Sequence, residues 1–140
     1  MDIALFSPSS LFAGAGVCSS DEEATENHQS YEERKHQFPG MELIIREFSF
    51  HKLNANLLWP GTLAFAQWLI QHQPWLEGRH IIELGSGTGA LAIFLRKRLQ
   101  IGITTSDYDD VEIEENIAYN CRINGITPAL PHIKRGLLGG

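Results

Sequence analysis

The chain of 140 residues has a length that suits one domain. Its 17 acidic and 11 basic residues give a formal net charge of -6, which argues against a protein that holds nucleic acid through phosphate contacts. Its apolar stretches fall far below the roughly 18 residues that a membrane span needs, so neither nucleic acid nor a membrane is an expected partner.

The two cysteines and the N-terminus indicate a compartment. Cys18 and Cys121 lie far apart in the sequence, so they predict neither a disulfide framework nor a pair of metal ligands. The N-terminal apolar run is interrupted by Pro8, and Asp2 stands where a signal peptide carries basic residues. We therefore expect a cytoplasmic protein, with the nucleus as the alternative location, and no bound metal.

Two segments of different character make up the chain. Residues 1–40 carry most of the acidic excess with little periodicity, and they are predicted to form a disordered acidic arm that ends in a turn signal at residues 38–40. Residues 41–140 have the composition of a globular core. In their first part Leu43, Ile45 and the run from Phe48 to Phe50 form an extended segment with partial alternation of apolar and polar residues, which predicts a strand or a loose hairpin.

A helix is predicted after the segment Trp59-Pro60-Gly61. Apolar residues at helical spacing mark its buried face, and they are Leu63, Ala66, Leu69 and Ile70. Thr62 is available as the N-cap, and Pro74 marks the far boundary.

The rest of the chain alternates strands with helices. Residues 79–84 form a β-branched run that stops at a glycine-rich loop, and residues 101–106 and 130–134 are the next strand-like runs. Two helical segments separate them, and the second begins at a capping-box pattern of Asp109 with Glu112. This β-α-β-α-β order implies parallel strands joined by right-handed crossovers, hence an α/β fold with a Rossmann-like, doubly wound open sheet.

The most informative segment is Glu83-Leu84-Gly85-Ser86-Gly87-Thr88-Gly89, where three glycines at alternate positions lead from a strand into a helix. Glycines suit this loop because a tight turn takes positive φ and because a ligand can approach the backbone without meeting a Cβ atom. Asp107 follows Gly85 by 22 positions, at the end of the next strand. A carboxylate there lies beside the loop, within reach of a ribose diol, so the two features together predict a nucleoside-binding site.

Two classes of nucleoside ligand compete for this loop. The pattern Gly85-x-Gly87-x-x-Ala90 satisfies the relaxed dinucleotide fingerprint, so an NAD- or FAD-dependent oxidoreductase is one alternative. However, Glu83 places a carboxylate at the mouth of the loop, and Gly89 is surplus to that fingerprint. A pyrophosphate disfavours a nearby anion, whereas S-adenosylmethionine has no phosphate and carries a cationic sulfonium and an ammonium. The residues favour S-adenosylmethionine, and a glycine turn without a ligand is the remaining alternative.

These motifs resemble the seven-β-strand, S-adenosylmethionine-dependent methyltransferases of the lysine methyltransferase family, and within it the methyltransferase-like 21 branch. The likeness covers about residues 41–134, and it rests on the glycine loop, Trp59-Pro60, Thr105-Ser106-Asp107 and the stretch from Asn116 to Asn120. It implies that residues 41–140 form a partial S-adenosylmethionine-binding methyltransferase domain, with only the N-terminal β-α-β-α-β portion of the seven-strand type.

The resemblance also implies a site and a reaction. The glycine loop would hold S-adenosylmethionine, Asp107 its ribose, and Trp59 would add a further contact. With the acid that precedes the loop, the predicted cofactor-binding residues are Trp59, Glu83, Gly85, Ser86, Gly87 and Asp107. The implied partner is a protein substrate that accepts a methyl group on a lysine side chain, without a metal. No catalytic residue is predicted.

The end of the chain departs from the family pattern. The family continues with a fourth strand and an acid-x-x-aromatic motif, whereas this chain ends in residues 134–140. We therefore expect a C-terminally truncated product in which the strand before the glycine loop has an unpaired edge. The alternative to an enzyme is a non-catalytic binding module, which pairs that edge with a full-length relative, or an inert variant.

Three of the candidate residues also have a purely structural interpretation. Trp59 is equally a packed core aromatic. Glu83 is equally a cap for the backbone amides of its own loop. Asp107 is alternatively an acid that starts the following helix.

Overall fold

The computed structural model describes residues 29–135 of the chain, as two small sheets and three α-helices. The elements in chain order are β1 (Tyr31–Phe38), β2 (Met41–Phe48), α1 (Thr62–Gln71), a 3-10 helix (Gln73–Trp75), β3 (Ile81–Leu84), α2 (Ala90–Leu99), β4 (Ile103–Tyr108), α3 (Val111–Ile123) and β5 (His132–Arg135).

A parallel sheet positions the candidate site. Its three strands lie in the order β3-β4-β5, with Ile81 opposite Ile103 and Thr105 opposite His132. Because consecutive strands are neighbours and parallel crossovers are right-handed, α2 and α3 lie on the same face of the sheet. This topology confirms the predicted α/β, Rossmann-like fold, and it brings the carboxyl ends of β3 and β4 to one edge.

An antiparallel hairpin of β1 and β2 corrects the predicted boundary at residue 40. All eight residues of β1 lie within the predicted arm, yet each pairs with β2. Pro39 and Gly40 form the turn, and Gly40 has a φ of 76°, which suits the second central position of a type II turn. The sequence of β1 is polar, so it did not predict a strand. The groups that pair with these polar side chains lie in β2, and one of them is Oε2 of Glu47, at 3.5 Å from Nε of Arg34. Residues 1–28 of the predicted arm lie outside the described residues.

The hydrophobic core fills the space between the hairpin, the helices and one face of the parallel sheet. Its largest fully buried apolar side chains are Phe38, Leu43, Ile45, Phe48, Phe94, Ile93, Ile103, Ile113 and Ile117. Each such side chain stabilises the folded state by roughly 1.5–3 kcal/mol through burial. Over residues 29–135 no helix combines the length and the apolar character that crossing a bilayer requires.

The two predicted helix caps are each wrong by one residue. Thr62 is the first residue of α1, and the capping position belongs to Gly61, which makes no side-chain cap bond. In α3 the cap is Asp110 rather than Asp109, because Asp110 has an extended backbone (φ -142°) and its Oδ1 accepts the N–H of Glu112 at 2.8 Å.

Candidate functional site

The glycine loop between β3 and α2 has the backbone that its sequence predicts. Gly85, Gly87 and Gly89 have φ values of 70°, 58° and 83°, a region that side chains disfavour. A Cβ atom at Gly89 would lie 3.1 Å from Cγ2 of Ile117 in α3, whereas one at Gly85 would meet no atom within 4 Å. Gly89 therefore permits close packing of the loop on α3, and Gly85 leaves open space.

Asp107 lies against this loop. Its Oδ2 accepts the backbone N–H of Gly87 at 2.8 Å, and its Oδ1 accepts the N–H of Tyr108 at 2.8 Å. The interpretation of Asp107 as a helix-start acid is wrong, because Asp110 caps α3. Each carboxylate oxygen of Asp107 retains a lone pair for a further donor.

Ser86 connects the ends of β3 and β4. Its backbone N–H donates to the carbonyl of Ser106 at 2.8 Å, and its Oγ accepts the N–H of Ser106 at 3.1 Å. The hydroxyl of Ser106 donates in turn to the carbonyl of Glu83 at 2.6 Å. These bonds hold the start of the glycine loop in register with the end of β4.

Glu83 has the least satisfied polar group of the site. Its Oε1 is buried and has no hydrogen-bond partner among the residues that the structure describes. Burial raises the pKa of Glu83 to about 7, the charge of Asp107 adds to the rise, and the Ser86 hydroxyl opposes it. The amide of Gly87 donates to Asp107 and not to Glu83, so the geometry does not support Glu83 as the cap of this loop. A cationic ligand would satisfy the free oxygen.

A cleft of about 770 Å³ opens beside the loop. All six predicted cofactor-binding residues line it, namely Trp59, Glu83, Gly85, Ser86, Gly87 and Asp107. Trp59 remains 44% exposed, so it is not a packed core aromatic, and its indole Nε1 donates to the carbonyl of Asn54 at 3.1 Å. Apolar side chains, among them Leu57, Phe65 and Leu91, form much of the remaining wall.

Sequence reasoning did not identify Glu47, which holds the segment that carries Trp59. Glu47 is buried at the end of β2, and its Oε1 accepts the N–H of Leu58 at 3.0 Å and lies 3.1 Å from Nε2 of His36. The signal in the sequence is an acid within the alternating apolar pattern of a strand. Leu58 precedes Trp59, so Glu47 fixes the backbone next to the cleft.

A second cluster of polar groups links the same segment to α3. Ligand-type atoms of His51, Asp110 and Glu112 lie within 4.8 Å of one another. Both ring nitrogens of His51 are engaged, because Nε2 lies 2.9 Å from Oδ2 of Asp110 and Nδ1 accepts the N–H of Leu53 at 3.0 Å. The pKa of Asp110 lies below its usual value. Burial alone would raise this pKa, but the hydrogen bonds from His51 and from the helix amides lower it. The cluster is a structural link, and we assign it no metal.

Comparison with known proteins agrees with this geometry. Residues 37–131 match the model of the family described as lysine methyltransferase. The electron transfer flavoprotein beta subunit lysine methyltransferase of Rattus norvegicus is 30% identical over 82 residues, which are 59% of this chain and 31% of that protein. The Homo sapiens protein of the same name is 31% identical over 72 residues, which are 51% of this chain and 27% of that protein.

A fungal relative shows a similar match. The protein N-terminal and lysine N-methyltransferase EFM7 of Cryptococcus neoformans var. neoformans serotype D (strain B-3501A) is 27% identical over 82 residues, which are 59% of this chain and 27% of that protein. The matched segment thus spans less than a third of the length of these curated relatives.

These matches confirm the family that the motifs resemble, while the methyltransferase-like 21 branch stays a prediction. They also decide against the dinucleotide oxidoreductase as the family of this loop. Because residues 37–131 make up more than half of the chain and include every residue that lines the cleft, the chain belongs to the lysine methyltransferase family.

Proposed function

We propose that the cleft binds S-adenosylmethionine and that the chain serves the transfer of a methyl group to a lysine side chain of a protein. The observation that carries this proposal is the hydrogen bond of 2.8 Å from the N–H of Gly87 to Oδ2 of Asp107. It lies in a cleft that also contains Oε1 of Glu83, which has no hydrogen-bond partner within residues 29–135. When bound, S-adenosylmethionine supplies an electrophilic methyl group on a positively charged sulfur.

The residues of the cleft fit this cofactor in charge. The buried oxygen of Glu83 suits the ammonium of the methionine moiety, because a cation satisfies an acid that burial otherwise keeps protonated. The carboxylate of Glu83, at the mouth of the loop, would repel a pyrophosphate. The charge of the site therefore favours a cationic sulfonium nucleoside over a dinucleotide.

The residues also fit in shape. The remaining lone pairs of Asp107 can accept hydrogen bonds from the hydroxyl groups of a ribose. Gly85 leaves the space that a bound group needs, and Ser86 and Gly87 hold the loop backbone around it. Trp59 offers a half-exposed aromatic surface to the same cleft.

A protein lysine is the acceptor that the family and the names of its members support. The relatives include one whose name specifies a flavoprotein subunit and one whose name specifies protein N-termini and lysines, and the lysine side chain is common to both. A lysine amine attacks a carbon only when it is neutral, and apolar walls such as those of Leu57, Phe65 and Leu91 favour the neutral form. A cytoplasmic or nuclear location stays a prediction from the sequence.

Calorimetric titration of the purified chain with S-adenosylmethionine, and in parallel with NAD, tests the cofactor. We expect the chain to bind S-adenosylmethionine and not NAD. An absence of S-adenosylmethionine binding contradicts the proposal. Transfer of radiolabelled methyl groups to proteins of a cell extract then tests the reaction. Binding without transfer, together with co-purification of a full-length relative, would instead support the non-catalytic binding module.

A further inference from the structure

Two asparagines of α3 and the asparagine that follows it as the C-cap form a ladder along one side of the helix. Asn116, Asn120 and Asn124 follow one another at intervals of four residues, so they lie on one side of the helix, and all three are buried. A primary amide in the interior is costly unless its oxygen and its two N–H groups find partners. The bonds of these side chains therefore show what the ladder holds in place.

The ladder binds the edge of β2 that faces away from β1. Asn120 accepts the N–H of Arg46 at 2.7 Å with Oδ1, and the Nδ2 groups of Asn116 and Asn120 donate to the carbonyl of Arg46 at 3.0 and 3.2 Å. Asn124 accepts the N–H of Ile44 at 3.1 Å and donates to its carbonyl at 2.7 Å. The amide side chains thus occupy the place of a neighbouring strand, and they satisfy backbone groups that would otherwise be unpaired.

Asn120 makes one further bond, which reaches the glycine loop. Its Nδ2 donates to the carbonyl of Thr88 at 2.9 Å in a buried environment. Thr88 lies between Gly87 and Gly89. Asn124 provides a contrast, because the further bond of its Nδ2 goes to the carbonyl of Asn120 within the same helix, at 2.8 Å.

The bond from Asn120 holds one end of a single peptide group. The carbonyl of Thr88 and the N–H of Gly89 belong to the same planar unit, so they turn together. The N–H of Gly89 donates to the carbonyl of Ser86 at 2.8 Å, and the carbonyl of Thr88 accepts from Asn120 on the other side. Gly89, on one side of this peptide, tolerates a wide range of φ, so the peptide would turn easily in the absence of such bonds. The clamp at both ends selects one orientation of the loop backbone.

We propose that Asn120 is a positioning residue, which fixes the Thr88–Gly89 peptide and thereby keeps the glycine loop in the conformation that receives the cofactor. The inference rests on the proposed function, because it assigns the loop to S-adenosylmethionine. It adds that the β1–β2 hairpin and the cofactor loop are joined through one amide side chain. Asn120 need not touch the cofactor for this role.

The test compares Asn120→Ala with Asn124→Ala in the full chain. Both substitutions remove a buried amide that pairs with the edge of β2, but only Asn120→Ala removes the bond to the loop. We expect Asn120→Ala to weaken calorimetric binding of S-adenosylmethionine on the order of tenfold, since one buried hydrogen bond is lost and its acceptor is left unsatisfied. Asn124→Ala should leave the dissociation constant within about twofold of that of the natural chain.

Hydrogen exchange of the backbone amides provides a readout that needs no cofactor. In Asn120→Ala the amide proton of Gly89 should exchange at least about tenfold faster, whereas in Asn124→Ala the acceleration should be confined to the region of Ile44. Unchanged exchange at Gly89 in Asn120→Ala, or equal loss of cofactor affinity in the two variants, overturns the inference. If the natural chain binds no S-adenosylmethionine, the proposed function fails, and the exchange rate of Gly89 still decides whether Asn120 clamps the loop.

The natural chain offers a second measurement if Asn120→Ala does not fold. The side-chain amide resonances of Asn120 and Asn124 can be followed by NMR during titration with S-adenosylmethionine. We expect the Asn120 amide to shift because it bonds to the loop, and the Asn124 amide to stay in place. Resonances that move equally, or that both remain unchanged while the cofactor binds, contradict the proposal.

Discussion

The carboxylate of Asp107 accepts the backbone N–H of Gly87 at 2.8 Å, and this bond joins the end of β4 to the loop that follows β3. The same side chain accepts the N–H of Tyr108, so both of its oxygens have a structural partner before any ligand binds. Asp107 thus builds the loop and also offers its remaining lone pairs to the cleft. The two roles predict that one substitution affects both stability and cofactor binding.

Asp107→Asn should lower the free energy of unfolding by about 1–3 kcal/mol, because an amide presents one acceptor and would turn N–H groups toward a backbone donor. Binding of S-adenosylmethionine should weaken by about tenfold or more, since the loop loses its closure and the ribose its partner. Chemical denaturation and calorimetry measure the two effects. Asp109→Asn is the matched control, because it removes the same charge from an exposed side chain close by. A similar loss in the control would show that overall charge, and not the bond to Gly87, is responsible.

The raised pKa of Glu83 predicts opposite effects of pH on stability and on binding. The folded chain holds this proton up to a pH of about 7, whereas the unfolded carboxyl releases it near 4.5. The folded state therefore binds the proton more tightly, and the free energy of unfolding should fall as the pH rises between these values. Cofactor binding should strengthen over the upper part of the same range, because only ionised Glu83 attracts the ammonium, by up to about tenfold per pH unit below the pKa.

Glu83→Gln separates these effects, because glutamine resembles the protonated acid at every pH. Above the pKa of Glu83 the variant should be more stable than the natural chain by on the order of 3 kcal/mol, and below the unfolded pKa the two should agree. Its binding of S-adenosylmethionine should be weak and independent of pH. Denaturation between about pH 4 and about pH 8 checks the difference in stability, and calorimetry between about pH 6 and about pH 8 checks the binding. Glu115→Gln, at an exposed position, is the control, and a pH dependence that survives in Glu83→Gln would assign the effect to another group.

Alanine at two glycines of matched backbone geometry tests the open space at the loop. Gly85 and Gly125 have φ values of 70° and 82°, and a Cβ atom at either would meet nothing within 4 Å. Both substitutions should lower the free energy of unfolding by about 1 kcal/mol through backbone strain. Only Gly85→Ala should weaken binding of S-adenosylmethionine in calorimetry, because only Gly85 lines the cleft. Equal affinities of the two variants would place the cofactor away from Gly85.

Trp59→Ala tests the aromatic surface of the cleft. Trp59 is 44% exposed and lines the cleft, whereas Trp75 is 64% exposed and does not. We expect Trp59→Ala to weaken binding of S-adenosylmethionine by about fivefold, as loss of an aromatic contact does, with little change in thermal stability. Trp75→Ala should leave the affinity unchanged. A large fall in the melting temperature of Trp59→Ala, without a specific loss of affinity, would return this residue to a packing role.

Local sequence patterns were sufficient to predict the strands of the parallel sheet and the glycine loop. The β-branched runs and the glycines at positions 85, 87 and 89 are short-range signals, because strand propensity and positive φ depend on the residue itself. Once β3 and β4 pair in parallel, their register places Asp107, near the end of β4, beside Gly87 in the loop that follows β3. The capping residues were misplaced by one position, since neighbouring residues such as Asp109 and Asp110 have equal capping chemistry and the backbone chooses between them.

Other features of the site and of the fold depended on contacts between distant residues, which the spacing of residues in the sequence does not show. From the sequence, a role of Glu83 as a cap of the loop and a role as a cofactor contact were equally supported. In the structure the amide of Gly87 donates to Asp107 and not to Glu83. The strand β1 has a polar sequence without periodicity, so only its pairing with β2 shows it to be a strand. Glu47 and Asn120 act across the molecule, on Leu58 and Thr88, and no local pattern indicates those partners.

The sequence by itself determined that this chain has alternating strands and helices, a glycine loop and an acid at the end of the next strand, because each of these follows from the conformational preferences of nearby residues. Tertiary structure alone decided which groups remain unpaired and which are clamped. The unpaired oxygen of Glu83 and the doubly held peptide of Thr88 arise where distant segments meet, because burial and hydrogen-bond satisfaction are properties of the whole packed arrangement.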